Sequence, residues 1–142
     1  MADASQRSVL SAHHALIWLF VLTSASDGEM SDAELHEIGE LAKTLPVFAG
    51  FDVTGLPAIA RECAAILGEP TGFTDVISMV RDALPRHLCE TAYALALDIA
   101  YADRPLTAEE LRVMERIRET LEIDRLIAAA IERTQAARYR LA

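Results

Sequence analysis

The sequence is poor in the residues that build sheets, disulfide frameworks and phosphate sites. Aromatics are 6% of its 142 residues. Its apolar content is mostly Ala, Leu and Ile, which suits closely packed helices better than strands. Six Gly and five Pro are few, and most fall between periodic segments rather than inside them. The two cysteines, Cys63 and Cys89, each lie in an apolar helical context. They make neither a disulfide framework nor a Cys-type zinc site, and read as buried thiols in a reducing compartment. Basic charge is short as well: the formal net charge is -9. That argues against nucleic acid as a direct partner, because phosphate binding needs a basic face. No glycine-rich phosphate loop, nucleophile elbow or His-Glu-x-x-His is present, so no catalytic constellation appears. The longest apolar run, Ala15 to Leu22, is too short to span a membrane. Small residues follow it as at a signal-peptide cleavage site, but Asp3 offsets Arg7 ahead of it, and His13 and His14 interrupt. The run reads as a core helix, with a cytoplasmic location and no direct membrane insertion as the expectation.

What is present is one domain's worth of chain, 1–142, with an uneven charge pattern. Acids cluster from Asp27 to Glu40 and again at Glu109, Glu110, Glu115, Glu119 and Glu122. The last stretch is basic, with Arg125, Arg133, Arg138 and Arg140. The balance suits cations or a basic protein surface as partners. The tail is expected to pair with the chain's own acidic face or to dock a partner.

The chain also repeats itself. A shift of 76 residues lays Asp27, Met30, Ser31, Glu34 and Leu35 over Asp103, Leu106, Thr107, Glu110 and Leu111. Downstream, Ile38, Leu41, Leu45 and Val47 fall on Met114, Ile117, Leu121 and Ile123. Upstream, Leu19 and Val21 fall on Leu95 and Leu97. This is the signature of a duplicated supersecondary unit whose copies, about 6–67 and 84–140, pack face to face. In each copy a helix that is apolar almost all round, over 6–25 and 86–102, must be central. A tight turn and an amphipathic helix, 32–45 and 108–121, follow. Third helices are predicted over 54–67, with Pro57 in its first turn, and 124–140. A short helix over 74–83 bridges the copies, giving about seven helices in an all-α, pseudo-twofold bundle.

Two chemistries compete for the repeated turn. Ser31 with Glu34, and Thr107 with Glu110, are each a capping box, in which the hydroxyl accepts from the N3 amide and the glutamate reaches back to the cap amide. Met30 and Leu106 sit where a hydrophobic staple places them, and Asp27 before Gly28 is an ordinary turn residue. That account does not require an Asp at both 27 and 103. The second chemistry is metal binding. Asp27, Gly28, Met30 and Glu34 match the second half of an EF-hand loop. Thr23 and Ala25 stand where its first ligands belong, as do Ile99 and Tyr101 in the other copy. Neither turn completes a shell alone. Two turns joined by pseudo-twofold packing would bring Asp27, Glu34, Asp103 and Glu110 together, and such hard oxygen ligands suit calcium, magnesium or manganese ahead of zinc.

A duplicated turn of this pattern, at this spacing, in an acidic chain of this length resembles the TerB-like tellurite-resistance family. The likeness covers most of the chain and centres on 15–47 and 91–123. It implies an all-helical pseudo-symmetric fold. It implies a divalent-cation site carried over to Asp27, Glu34, Asp103 and Glu110, and a role in bacterial resistance to tellurite and other stresses beside other proteins of that system. The chain departs from the pattern at Arg104 and Pro105, where a glycine is expected.

Asp98, inside the second apolar helix, is either a paired buried carboxylate or an additional ligand. His36 reads as part of a solvated helix face, His13 and His14 as a polar helix edge, and Trp18 as core. Against the cation-binding reading stand a metal-free interaction scaffold of the same fold and a helical hydrolase or metalloenzyme built around Asp98, His87 and the acidic cluster.

Overall fold

The computed structural model describes residues 10–24, 30–101 and 106–142. Among them the chain forms seven α-helices and no strand: α1 (Ala12–Ser24), α2 (Asp32–Thr44), α3 (Leu56–Leu67), α4 (Gly72–Ala83), α5 (Cys89–Tyr101), α6 (Ala108–Thr120) and α7 (Arg125–Arg138). Single 3-10 turns, Pro46–Phe48, Val53–Gly55 and Arg86–Leu88, sit in the connections.

The two apolar helices are central, as their lack of a polar face requires. Every residue of α1 from Ala15 to Thr23 is buried, and Thr23 satisfies its hydroxyl on the Leu19 carbonyl at 2.9 Å. α1 packs against α3, α4 and α5, while α5 packs against α1, α6 and α7. α4 also reaches α6, where Arg116 lies over the Phe73 ring at 4.4 Å. Both cysteines are buried free thiols. Trp18 is core, and its indole N–H finds no acceptor among the described residues.

Helix ends differ from the predicted spans for local reasons. α5 starts at Cys89 because the chain leaving Pro85 first makes the 3-10 turn Arg86–Leu88. A 3-10 turn likewise precedes α3. α4 starts earlier than the periodicity predicts, at Gly72, where a Cβ would lie 2.1 Å from the Ile66 carbonyl oxygen. Only glycine lets α4 leave α3 so closely. Residues 6–9, 25 and 102, which the sequence assigns to the central helices, lie outside the described residues. His13 is more than a polar edge: its Nε2 is 2.9 Å from the Val47 carbonyl, and its ring stacks on Phe48 with centroids 5.6 Å apart.

The duplication holds at an offset of 76 through α2 and α6, whose N-caps Ser31 and Thr107 correspond. The third helices correspond at an offset of 72 instead. Asp52 accepts from the Thr54 amide, and Asp124 accepts from the Leu126 and Ile127 amides. Further along, Cys63 Sγ donates to the Trp18 carbonyl at 3.6 Å and Gln135 Nε2 donates to the Ala94 carbonyl at 2.7 Å. Those two acceptors are themselves equivalent residues of α1 and α5. The second copy therefore has the shorter connection ahead of its third helix, 121–123 against 45–51, and an ungapped overlay misses the match.

Candidate functional site

Both repeated turns end in the hydroxyl arm of the capping box that the sequence predicts, and among the described residues neither glutamate accepts from the cap amide. The Glu34 amide donates to Ser31 Oγ at 3.1 Å, and the Glu110 amide donates to Thr107 Oγ1 at 3.1 Å. Each hydroxyl thus satisfies one of the amides that a helix start leaves without a partner. Met30 and Leu106 are partly buried against the core, as staple residues should be.

The two glutamates differ. Glu110 Oε1 accepts from the Thr107 hydroxyl at 3.0 Å. The Glu34 carboxylate does not return a bond to its cap, and its Oε2 is buried with no hydrogen-bond partner among the described residues. The capping box at Ser31 is therefore half formed: it accounts for the hydroxyl and leaves the carboxylate unexplained. A buried carboxylate oxygen without a donor is costly. A hydrogen-bond donor or a cation would satisfy such an oxygen.

Asp27 and Asp103 lie outside the described residues, as do Gly28, Arg104 and Pro105. Among the described residues no group of three or more His, Cys, Asp or Glu side chains could hold a metal.

Asp98 lies one helical turn before the second loop, with its side chain 12% exposed. Its Oδ1 accepts from the Tyr139 hydroxyl at 2.9 Å and lies 3.9 Å from Arg138 Nη1. The Tyr139 ring stacks on Tyr101, centroids 5.5 Å apart. Burial, and then the bond to Asp98, push the Tyr139 hydroxyl pKa up to about 12. Asp98 thus ties the end of α7 to α5, and Arg138 is where the basic tail meets the chain's own acids. Glu37 and Glu40 of α2 share a cavity with Asp98 and Ile99 of α5, so the first half of the chain reaches the end of α5 from which the second turn departs. His36 is exposed, 3.8 Å from Glu40, and His87 is exposed.

A polar group that the motifs do not single out joins α5, α6 and α7. The Tyr93 hydroxyl donates to Glu132 Oε2 at 2.6 Å, and Arg118 Nη1 donates to the same oxygen at 3.2 Å. Burial, and then the bond to Glu132, raise the Tyr93 pKa. Its one signal in the sequence is a mismatch between the copies, where Ile17 and Ala42 stand opposite Tyr93 and Arg118.

No described helix is long and apolar enough to cross a membrane. A family model described as "Tellurite resistance protein TerB" matches residues 13–133. No curated protein and no solved structure matches the chain. The family match runs from the start of α1 into α7 and takes in both capped turns. On that match, which covers most of its length, the chain belongs to the TerB tellurite-resistance family.

Proposed function

We propose that this domain is a non-enzymatic divalent-cation-binding module whose ligands come from both repeated turns: Asp27 and Glu34 from the first, Asp103 and Glu110 from the second. The observation that carries the reading is the buried, unpartnered Oε2 of Glu34. Helix capping does not use it, and it stands at the position that the EF-hand-like half-motif gives to a ligand. The cavity shared by Glu37, Asp98 and Ile99 supports the approach of the two halves. A carboxylate donor set suits calcium, magnesium or manganese, and a bound ion would relieve the mutual repulsion of the acids. The module acts in a bacterial stress response of the tellurite-resistance type, in the cytoplasm, through protein partners.

A second reading, a metal-free interaction scaffold, draws on the start of α7, where Leu126 is 82% exposed beside the exposed Ile127. Calorimetric titration with calcium, magnesium, manganese and zinc separates the two. The cation reading expects binding that Glu34→Gln weakens at least tenfold. Binding of no ion, or equal binding by the variant, would leave the scaffold.

A further inference from the structure

The two halves of this protein treat equivalent space in opposite ways. In the second half Tyr93, Arg118 and Glu132 meet from three helices, and a cavity of about 360 Å³ opens over them. In the first half the equivalent residues are Ile17, Ala42 and Ala60, all buried. Opposite Glu115 stands Gly39, whose missing Cβ would touch the Leu56 side chain at 3.6 Å, so that space is filled by close helix packing. Replacing apolar packing by a partly buried ion pair gains little stability and often costs some. One copy of the fold shows that an apolar solution is available, yet the other keeps a polar floor and an open cleft.

The lining defines what fits. Two carboxylates, Glu115 and Glu132, face one guanidinium, Arg118, whose Nη2 is 4.0 Å from Glu115 Oε1. The cleft is therefore net acidic within a chain of net charge -9, which draws cations toward it. The half-buried Tyr101 lines it, and a tyrosine face attracts cations. Leu97 and Met114 lie buried beneath it, and the half-buried Leu106 and the exposed Leu111 give it an apolar edge. The volume lies in the range of small-molecule sites, about 300–1,000 Å³.

We propose that the cleft between α5, α6 and α7 binds a small organic cation, an ammonium or guanidinium group on a short apolar stem. The head lies against Glu115 and Glu132 and the stem lies along Leu106 and Leu111. This site adjoins the second repeated turn through Leu106 and needs no metal.

The test is a ¹⁵N-resolved NMR titration of the full chain, in chelator, with n-hexylammonium and with n-hexanoate. Hexylammonium is expected to bind with a Kd on the order of 1 mM or tighter, and hexanoate at least tenfold more weakly. Leu111→Trp, at an exposed position that leaves the core intact, blocks the mouth and weakens hexylammonium at least tenfold. The combined Glu115→Gln and Glu132→Gln variant, which removes both carboxylates and leaves Arg118, removes the preference for the cation. Equal binding of hexanoate, or undiminished binding by Leu111→Trp, would overturn the proposal.

Discussion

Arg86 holds Glu122 in a left-handed turn. Its Nη2 donates to the Glu122 carbonyl at 2.6 Å, and its Nη1 donates to the Leu121 carbonyl. Glu122 has φ 52°, which lets the chain pass from α6 to α7 over four residues. The guanidinium thus caps carbonyls at the negative end of α6. Arg86→Ala is expected to cost about 2 kcal/mol in urea denaturation. Glu122→Gly should stabilise by about 1 kcal/mol, because glycine adopts this φ without strain.

The two arms of the first capping box separate by substitution. Ser31→Ala is expected to cost about 1 kcal/mol whether or not metal is present. Glu34→Gln in chelator should be neutral to stabilising, since Oε2 makes no hydrogen bond to lose and the amide removes a buried charge. Urea melts of both variants, with chelator and with saturating ion, check this. A large loss for Glu34→Gln in chelator would mean that the carboxylate serves the fold alone.

Gly72→Ala places a methyl group into backbone. Its Cβ would lie 2.1 Å from the Ile66 carbonyl oxygen and 2.7 Å from Leu67 Cα, so α3 and α4 must part. A loss of about 3 kcal/mol is expected, with a lower midpoint in thermal or urea melts.

Cys63 couples stability to alkaline pH. Burial, and then the nearby Glu62, push its thiol from near 9 up to about 12 in the folded chain. The contribution is present in full below pH about 9 and is lost between pH about 9 and about 12, where the unfolded chain ionises and the folded one does not. Cys63→Ala should flatten that part of the stability–pH curve. At pH 8 a thiol reagent is expected to modify Cys63 only after unfolding.

Four helices of the core are plain in the sequence. α1 and α5 show as runs without a polar face, and α2 and α6 as amphipathic segments opened by Ser31 and Thr107. Both signals are local, so one stretch of chain carries each. The register of the third helices is not local in that sense: Asp52 answers Asp124, and Cys63 answers Gln135, only once the shorter connection of the second copy is allowed for. The cluster of Tyr93, Arg118 and Glu132 is less legible still, because residues from three helices meet without any shared pattern along the chain. Of the candidate ligands, sequence spacing picks out all four acids. The buried Oε2 that sets Glu34 apart from Glu110 emerges only from packing.

The measurement that tests the central claim most directly is a thermal melt in chelator and then in calcium, magnesium, manganese or zinc. It is run on this protein and on the Asp27→Asn/Asp103→Asn variant. An ion at about 100 times its Kd should add about 2.7 kcal/mol, a rise of roughly 5–10 °C for a domain of this size. The double variant should lose that rise while melting normally in chelator. No shift with any ion, or an equal shift in the double variant, would contradict a cation site shared between the two turns.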